Sequence, residues 1–365
     1  MNGFLLAAAL LSPAWAGPRR APEAPQDKPL RAAVYEGRYL EALRLYDTLV
    51  AAGEPSGPAA YFAGWTNMRL HRPEAAKPQL EIAAQAGFSP RGWKTADELL
   101  SRAEDQLAAL PPLVEVKGLD AAALEPHADS RDGLCGAILD ALPEFARLGR
   151  SIFAGPPPAL RVYLFATHEA MDRLALASGD SRGKRRSTGG FGMVRLSAED
   201  LKRPVAEDSV GLALHETVHA WIATYLRERY DRPITVPAYL DEGLASYVPG
   251  LWKPARRPRL EAERLARAAR WRAKHGDAPP PDFGTLKAFG SFHDASRDGL
   301  DYDLAEMLME RLLGPAERGA ARIPALLDAL ARSGGDDEAA WKEVSGKDAA
   351  AEYAALTGEL WGRAK

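Results

Sequence analysis

Cysteine is all but missing from this chain. Cys135 is the single one in 365 residues, which excludes an intramolecular disulfide and any thiolate-built metal cage, so a metal site would have to be made of His, Asp and Glu. Histidine is scarce too, with seven in all, and that narrows the search for ligands to a few positions. Neither sign of charge dominates. The formal net charge is −3, so although Arg182–Arg186 and Arg256–Arg264 are basic clusters, the balance leaves no footprint for a nucleic-acid partner. Long apolar runs are absent as well: none reaches the ~20 residues of a membrane-crossing helix, so no stable membrane span is expected. What remains is ordinary globular composition, 46% apolar and 27% charged, on a chain long enough for two domains or one domain with a smaller addition. Cys135 lies among Leu134, Ala137, Ile138 and Leu139 and reads as a small buried side chain rather than a nucleophile.

The one early apolar stretch, Phe4–Leu11, is followed by Ser12-Pro13 and Ala14-Trp15-Ala16. This is the layout of a secretory signal over residues 1–16 with cleavage after Ala16, although Met1–Gly3 carries no Lys or Arg. Export to a bacterial periplasm or beyond is the expectation. Residues 17–29, rich in Pro, Arg and Glu, read as a linker. Residues 30–110 have helical periodicity with a faint repeat: Gly37-Arg38-Tyr39-Leu40-Glu41-Ala42 aligns with His71-Arg72-Pro73-Glu74-Ala75-Ala76 at an offset of 71 − 37 = 34, which resembles the tetratricopeptide period. Two such units are few for independent stability, so this region is expected to pack on the next domain or to hold a protein partner.

Pro111-Pro112 marks a boundary, after which residues 112–365 form the second expected domain. Leu113–Val116 and Leu160–Phe165 alternate as strands, Leu134–Leu148 reads as a helix stopped by Gly149, and His168–Ala177 as another. Gly179–Gly190 reads as a loop and Phe191–Leu196 as a returning strand. Ala206–Arg227 is a long helical pattern with Asp208 or Ser209 as its cap. Strand-rich sequence followed by helices predicts an α+β fold.

The long helix carries His215-Glu216-Thr217-Val218-His219. Four residues apart, His215 and His219 stand one above the other on one helix face, placed to bind a single cation through two imidazoles. Glu216, about 100° around the helix, could reach an activated water without ligating, which is what a general base requires. Leu214, Val218, Trp221 and Tyr225 form a neighbouring apolar stripe that would anchor the helix. A catalytic zinc needs a third protein ligand and an open position. Downstream lies Pro237-Ala238-Tyr239-Leu240-Asp241-Glu242-Gly243-Leu244-Ala245-Ser246-Tyr247. Tyr239–Tyr247 resembles the aromatic-Leu-x-Glu-Gly-x-Ala-x-Tyr segment of gluzincin peptidases, and His215–Trp221 is similar to the His-Glu-x-x-His-x-Trp motif of the membrane alanyl aminopeptidases in that clan. The resemblance implies Glu242, 242 − 219 = 23 positions after His219, as the third ligand of one catalytic Zn2+.

Upstream, where those aminopeptidases carry an acidic exopeptidase segment, this chain has Gly189-Gly190-Phe191-Gly192-Met193, without an acid to hold a substrate amino terminus. The layout is closer to compact bacterial peptidase-MA-like domains, a zincin-like fold, and implies endopeptidase-like hydrolysis of a peptide or protein substrate. It also implies Gly190–Leu196 as an edge strand for β-augmentation, and Tyr302 or His293 as the group that stabilises the oxyanion. His71, His127, His168 and His275 have no ligand spacing and read as surface or capping residues, and Leu260–Lys274 as a solvated helix. Two other functions stay open: a binding or scaffold protein with an inactive zincin domain, and a zinc amidohydrolase acting on a non-peptide amide.

Overall fold

A computed structural model of the chain describes residues 24–53, 55–120, 122–177, 188–203, 206–252, 257–276, 280–292 and 299–363. The expected signal segment, residues 17–23 of the expected linker, Arg182–Arg186 and His293 lie outside the described residues. Order begins before Leu30: Pro25–Asp27 is a 3₁₀ turn and helix α1 starts at Lys28. The reason is Asp27, which is buried and accepts the Ser56 hydroxyl at 2.6 Å and the Ala24 N–H at 3.1 Å.

The faint repeat corresponds to a repeat in space. Helices α1 (Lys28–Tyr35) and α2 (Tyr39–Ala51) make one hairpin, and α3 (Gly57–Arg69) and α4 (Pro73–Gln85) another. Gly37 and His71, 34 residues apart, both take left-handed backbone (φ 74° and 55°) at the turn, and Arg38 N→Ala33 O (2.8 Å) is matched by Arg72 N→Asn67 O (2.9 Å). Such a 6→1 closure satisfies the last carbonyls of the first helix and reverses the chain. Helix α5 (Ala96–Ala109), opened by a Thr95/Glu98 capping box, completes the region. Its own core holds Leu30, Tyr61, Phe62, Leu80 and Leu99.

The rest is a small mixed sheet inside a mainly helical body, compatible with the α+β class. The sheet order is β1-β2-β4-β3, with β1 (Leu124–Ala128), β2 (Leu160–Phe165) and β4 (Met193–Ser197) parallel and β3 (Thr188–Gly190) antiparallel to β4. The expected strand at Leu113–Val116 contributes only an isolated bridge, Leu113 to His127. Of the expected edge strand Gly190–Leu196, Met193–Leu196 lies in β4, which is paired on both sides, while Gly190 ends β3, which with β1 is an edge among the described residues. β2 shows how the alternation is used. Val162 and Leu164 face the main core, while Tyr163 and Phe165 face a smaller cluster with Met171 and Leu174, capped by Ala109 and Leu110. Helix α7 (His168–Ala177) and the end of α5 thus cover the second face of the sheet.

Helix α6 (Gly133–Phe153) crosses the first face and runs straight through Gly149, which does not stop it. A Cβ at Gly149 would stand 2.9 Å from both Pro157 Cβ and Trp221 Cζ2, so the glycine is a close-packing position against the motif helix. Burial pushes the Cys135 thiol on α6 up to about 11, Asp129 adding to the shift, in keeping with an inert side chain. One-turn α8 (Ala198–Leu201) leads to α9 (Ala206–Tyr230). Asp208 and Ser209 lie within its first turn rather than at the cap: Ser209 Oγ accepts Arg203 N–H at 2.9 Å, and Asp208 holds Arg259 at 2.7 Å.

After α9 come α10 (Ala238–Tyr247), short α11 (Pro249–Trp252), α12 (Arg257–His275), short α13 (Phe283–Lys287) and α14 (Phe289–Phe292), then α15 (Leu300–Leu313). Helices α16 (Ala316–Gly319), α17 (Ile323–Arg332), α18 (Asp337–Ser345) and α19 (Ala349–Arg363) close the body. Helix α12 is less solvated than its composition implies. Buried Arg264 reaches Glu306 at 2.7 Å and Glu310 at 3.3 Å on α15, so its cations pair with an acidic helix face. Among the described residues no helix is long and apolar enough to cross a membrane.

Candidate metal centre

The apolar stripe of α9 does what its spacing predicts. Leu214, Val218 and Trp221 are buried and Tyr225 stacks on Phe153 with centroids 5.3 Å apart, so the adjoining stripe, with His215 and His219 about 100° further round, is turned to a cleft. The cleft has a volume of about 750 Å³ and also receives Glu216, Asp241, Glu242 and Tyr302.

Helix α10 closes the site from the other side, and each distinctive residue of Tyr239–Tyr247 has a local task. Buried Tyr239 donates to Asp337 (2.7 Å) and accepts from the Trp341 indole (2.8 Å), tying α10 to α18. Tyr247 donates to Gly314 O at 2.7 Å. Gly243 is where α15 crosses: a Cβ there would come within 3.0 Å of Ala305 O and Met309 Cγ. That close approach carries the first turn of α15 to the cleft and puts the Tyr302 ring 6.3 Å from the His215 ring.

Three ligand atoms converge in a nearly equilateral triangle. His215 Nε2 and His219 Nε2 are 3.1 Å apart, and Glu242 Oε2 lies 3.2 Å from the first and 3.3 Å from the second. Tetrahedral zinc with bonds of ~2.0–2.1 Å spaces neighbouring ligand atoms by about 3.3–3.4 Å, so these residues fit three corners of such a site and leave the fourth toward the cleft. The ligand-bearing side chains are 9–12% exposed, enough to admit a cation and too little to leave the carboxylate well hydrated.

Electrostatics favours positive charge at this corner. Burial would lower the His219 imidazole, but the Asp241 and Glu242 carboxylates outweigh it and hold it well above its ordinary value. Burial likewise opposes ionisation of Glu242, yet hydrogen bonds from His215 and His219 hold it well below the usual carboxylate range. A proton or a metal ion is stabilised by the same arrangement.

The outer contacts of the two imidazoles also come from α10. Asp241 Oδ1 stands 3.0 Å from His219 Nδ1, in ion-pair reach though off the N–H line, and Ser246 Oγ stands 3.5 Å from His215 Nδ1. One helix therefore supplies the third ligand and a partner for each histidine, the support that fixes ring orientation in metal sites. Sequence reasoning named Glu242 and passed over these two. Their signal was faint: Asp241 is the neighbour of Glu242, and Ser246 follows it by one helical turn.

The other described histidines lie away from this cluster. His168 and His275 are at the surface, the first paired with Asp200 and the second stacked on Trp271 at 4.5 Å. His127 in β1 binds Pro111 O (3.1 Å) and Glu125 (2.8 Å). His71 is half-buried rather than at the surface: it takes the left-handed position that caps the end of α3, and lies beside Tyr163, Leu174 and Met193, between the N-terminal helices and the sheet. Comparison with protein-family models, with curated proteins and with solved structures finds no match for this chain.

Proposed function

We infer that this protein is a zinc-dependent peptidase with a zincin-like body, acting as an endopeptidase on exported or envelope proteins. The observation that carries the reading is the triangle of His215, His219 and Glu242, whose edges of 3.1–3.3 Å suit tetrahedral zinc, with Glu216 on the next position of the same helix and in the same cleft. The early Phe4–Ala16 segment supports the exported setting.

When bound, zinc would supply Lewis acidity to a water and to the scissile carbonyl. The chain's own residues do the rest. Glu216 accepts a proton from the attacking water and returns it to the departing amine. The Tyr302 hydroxyl, brought to the cleft beside His215, donates to the oxygen that gains charge. Asp241 and Ser246 keep the two imidazoles turned toward the ion.

The test is a pair of measurements on the full chain. Elemental analysis should give about one zinc equivalent for the parent and for Glu216→Gln alike, while a proteome-derived peptide pool should be cut by the parent only. A metal-loaded Glu216→Gln that cleaves as fast as the parent sinks the mechanism, and a parent that binds no zinc sinks the metal assignment.

A further inference from the structure

The cleft continues well past the metal residues, and its far end has a different chemistry. Along α9 it is lined in turn by His215, His219, Ile222, Ala223, Leu226 and Arg227, at steps of 4, 7, 8, 11 and 12 from His215, which is one continuous helix stripe. From His219 to Arg227 is eight residues, or about 12 Å of helix rise. The facing wall is the connection from α9 to α10, which brings Arg232 beside the same space.

Both arginines are held by their surroundings and unneutralised. Arg227 gives one hydrogen bond to Gly37 O at 2.7 Å and lies 4.7 Å over the Tyr39 ring. Arg232 gives one to Ala331 O at 2.7 Å. A guanidinium has five N–H donors, so most of each fork remains available. Among the described residues neither has a carboxylate within ion-pair reach. Asp231, their neighbour in sequence, is occupied with the N–H groups of Leu40 and Glu41. Other arginines of the body either pair with acids, as Arg259, Arg264, Arg267 and Arg311 do, or bond to carbonyls, as Arg322 does; what sets Arg227 and Arg232 apart is that both line the same cleft as His215 and His219.

The wall between them and the metal offers a main-chain edge. Residues 233–237 have no helical or strand pairing, Ile234 and Val236 pack against the core, and Thr235 is exposed, the two-residue alternation of an extended strand. Among the described residues the backbone of Ile234, Thr235 and Val236 forms no hydrogen bond. Such an edge is satisfied by another extended chain.

We propose that this end of the cleft reads acidic peptides: an extended substrate pairs along Ile234–Val236, and Arg227 and Arg232 clamp a carboxylate on it. At about 3.3 Å per extended residue, the ~12 Å offset places that carboxylate about three to four residues from the scissile bond. Its source is a Glu or Asp side chain or the carboxyl terminus of the peptide, since a guanidinium fork binds either in the same bidentate way. The specificity rests on the peptidase reading above, and it gives the N-terminal helices a part in it, because Gly37 and Tyr39 position Arg227.

Binding separates this proposal from hydrolysis. Fluorescein-labelled decapeptides of Ala and Leu, with one Glu or Gln stepped along the chain and with a free or amidated carboxyl terminus, are titrated by anisotropy against zinc-loaded, full-length Glu216→Gln. The comparison proteins add Arg227→Gln, Arg232→Gln or both, with melting temperature and zinc content as controls. A Glu peptide should bind about 10-fold tighter than its Gln partner at one favoured position. The double variant should erase that ratio and leave the affinity of the Gln peptide in place. If amidation alone removes the preference, the terminal carboxylate is the source; if stepping the internal Glu moves it, the side chain is. Should Arg227→Gln loosen the N-terminal helices, exposed Arg232→Gln still must reduce the ratio. Equal binding of Glu and Gln peptides in every register, or a preference that survives both substitutions, overturns the proposal. Peptides that bind by this rule but are never cut by the parent chain refute the peptidase reading alone.

Discussion

The body that carries the His215, His219 and Glu242 cluster and the five N-terminal helices are each closed around apolar side chains, yet they are joined to one another largely by polar ones. Inside the body a single core runs from β1 through Trp221 and Leu240 to Trp341 and Leu360; inside the N-terminal region Leu30, Phe62 and Leu80 do the same work. At the junction Asp231 accepts N–H bonds from Leu40 (2.8 Å) and Glu41 (2.7 Å), Arg227 holds Gly37 O, Arg161 pairs with Glu74, and Gln106 donates to Ala177 O. The apolar part among the described residues is mainly the small cluster of Tyr163, Met171 and Leu174 under Leu110. Burial of apolar area is indifferent to pH and to single charges, whereas a junction of individual polar contacts is sensitive to each of them. The two regions should therefore respond to different substitutions: the body's site through its ligands, the junction through protonation and capping.

The largest effect belongs to Glu242. Glu242→Ala removes one corner of the triangle and a carboxylate that balances two imidazoles, so zinc content measured by elemental analysis should fall from about one equivalent to near zero. The melting temperature of the metal-free protein should change little, because the apolar neighbours on α10 hold that helix in place. Parent-like zinc content would remove Glu242 from the ligand set. Asp241→Ala should act at the same place with less force: the Asp241–His219 contact at 3.0 Å orients the ring rather than binding the ion, and losing such support costs roughly 10–100-fold in metal affinity. Competition with a chelating dye measures it. In both variants the junction should hold, which resistance of the α5 boundary to limited proteolysis would show; if the N-terminal helices come loose, the two regions are not independent.

The same division governs what could be read from the sequence. The His215/Glu216/His219 face was legible because helical spacing alone puts those groups together, and Tyr239–Tyr247 because its pattern is specific. The partners of the imidazoles were not, since Asp241 and Ser246 acquire their roles only through the way α10 meets α9. Strand β1 was missed for a local reason: Leu-Glu-Pro-His-Ala contains a proline and no β-branched residue, and it is tolerated because β1 is an edge strand. Leu113–Val116 has the better alternation but forms a single bridge. Gly149 read as a helix stop and is a contact with Trp221; Arg227 read only as part of the motif helix and reaches Gly37 O across the junction; and His71, read as a surface or capping residue, takes the left-handed position after α3 and also faces the sheet. Long-range packing carries no periodicity, so these were not visible in the sequence.

His71 should make the junction pH-sensitive. Burial, with Arg195 and Arg69 adding to it, lowers its imidazole from 6.5 to about 4, so the docked state takes up a proton less readily than the released one. Docking is then at full strength above about pH 6.5, weakens as the pH falls from there toward 4 with a slope of at most about 1.4 kcal/mol per pH unit, and loses no more to this group below that. Proteolytic release of the N-terminal helices, followed against pH, should show the window. His71→Asn, which tolerates the left-handed backbone (φ 55°), should flatten it. An unchanged profile in that variant would assign the pH dependence to other groups.

Asp231 gives the smallest effect and the finest resolution of the junction. Its carboxylate caps α2, a helix more than 180 residues away in sequence, and loss of an N-cap costs about 1 kcal/mol. Asp231 itself has φ 44°, so its replacements separate two contributions. Asp231→Gly removes the cap and suits the left-handed backbone; Asp231→Ala removes the cap and adds the strain of a Cβ there; Asp231→Asn keeps one acceptor and the conformation. Thermal melting should rank them Ala, Gly, Asn from most to least destabilised. Zinc content should stay fixed throughout, since Asp231 is separated from His219 by about three helical turns. A Gly variant as stable as the parent would mean that the cap contributes nothing, leaving Arg227 and the apolar cluster under Leu110 to hold the N-terminal helices against the cleft.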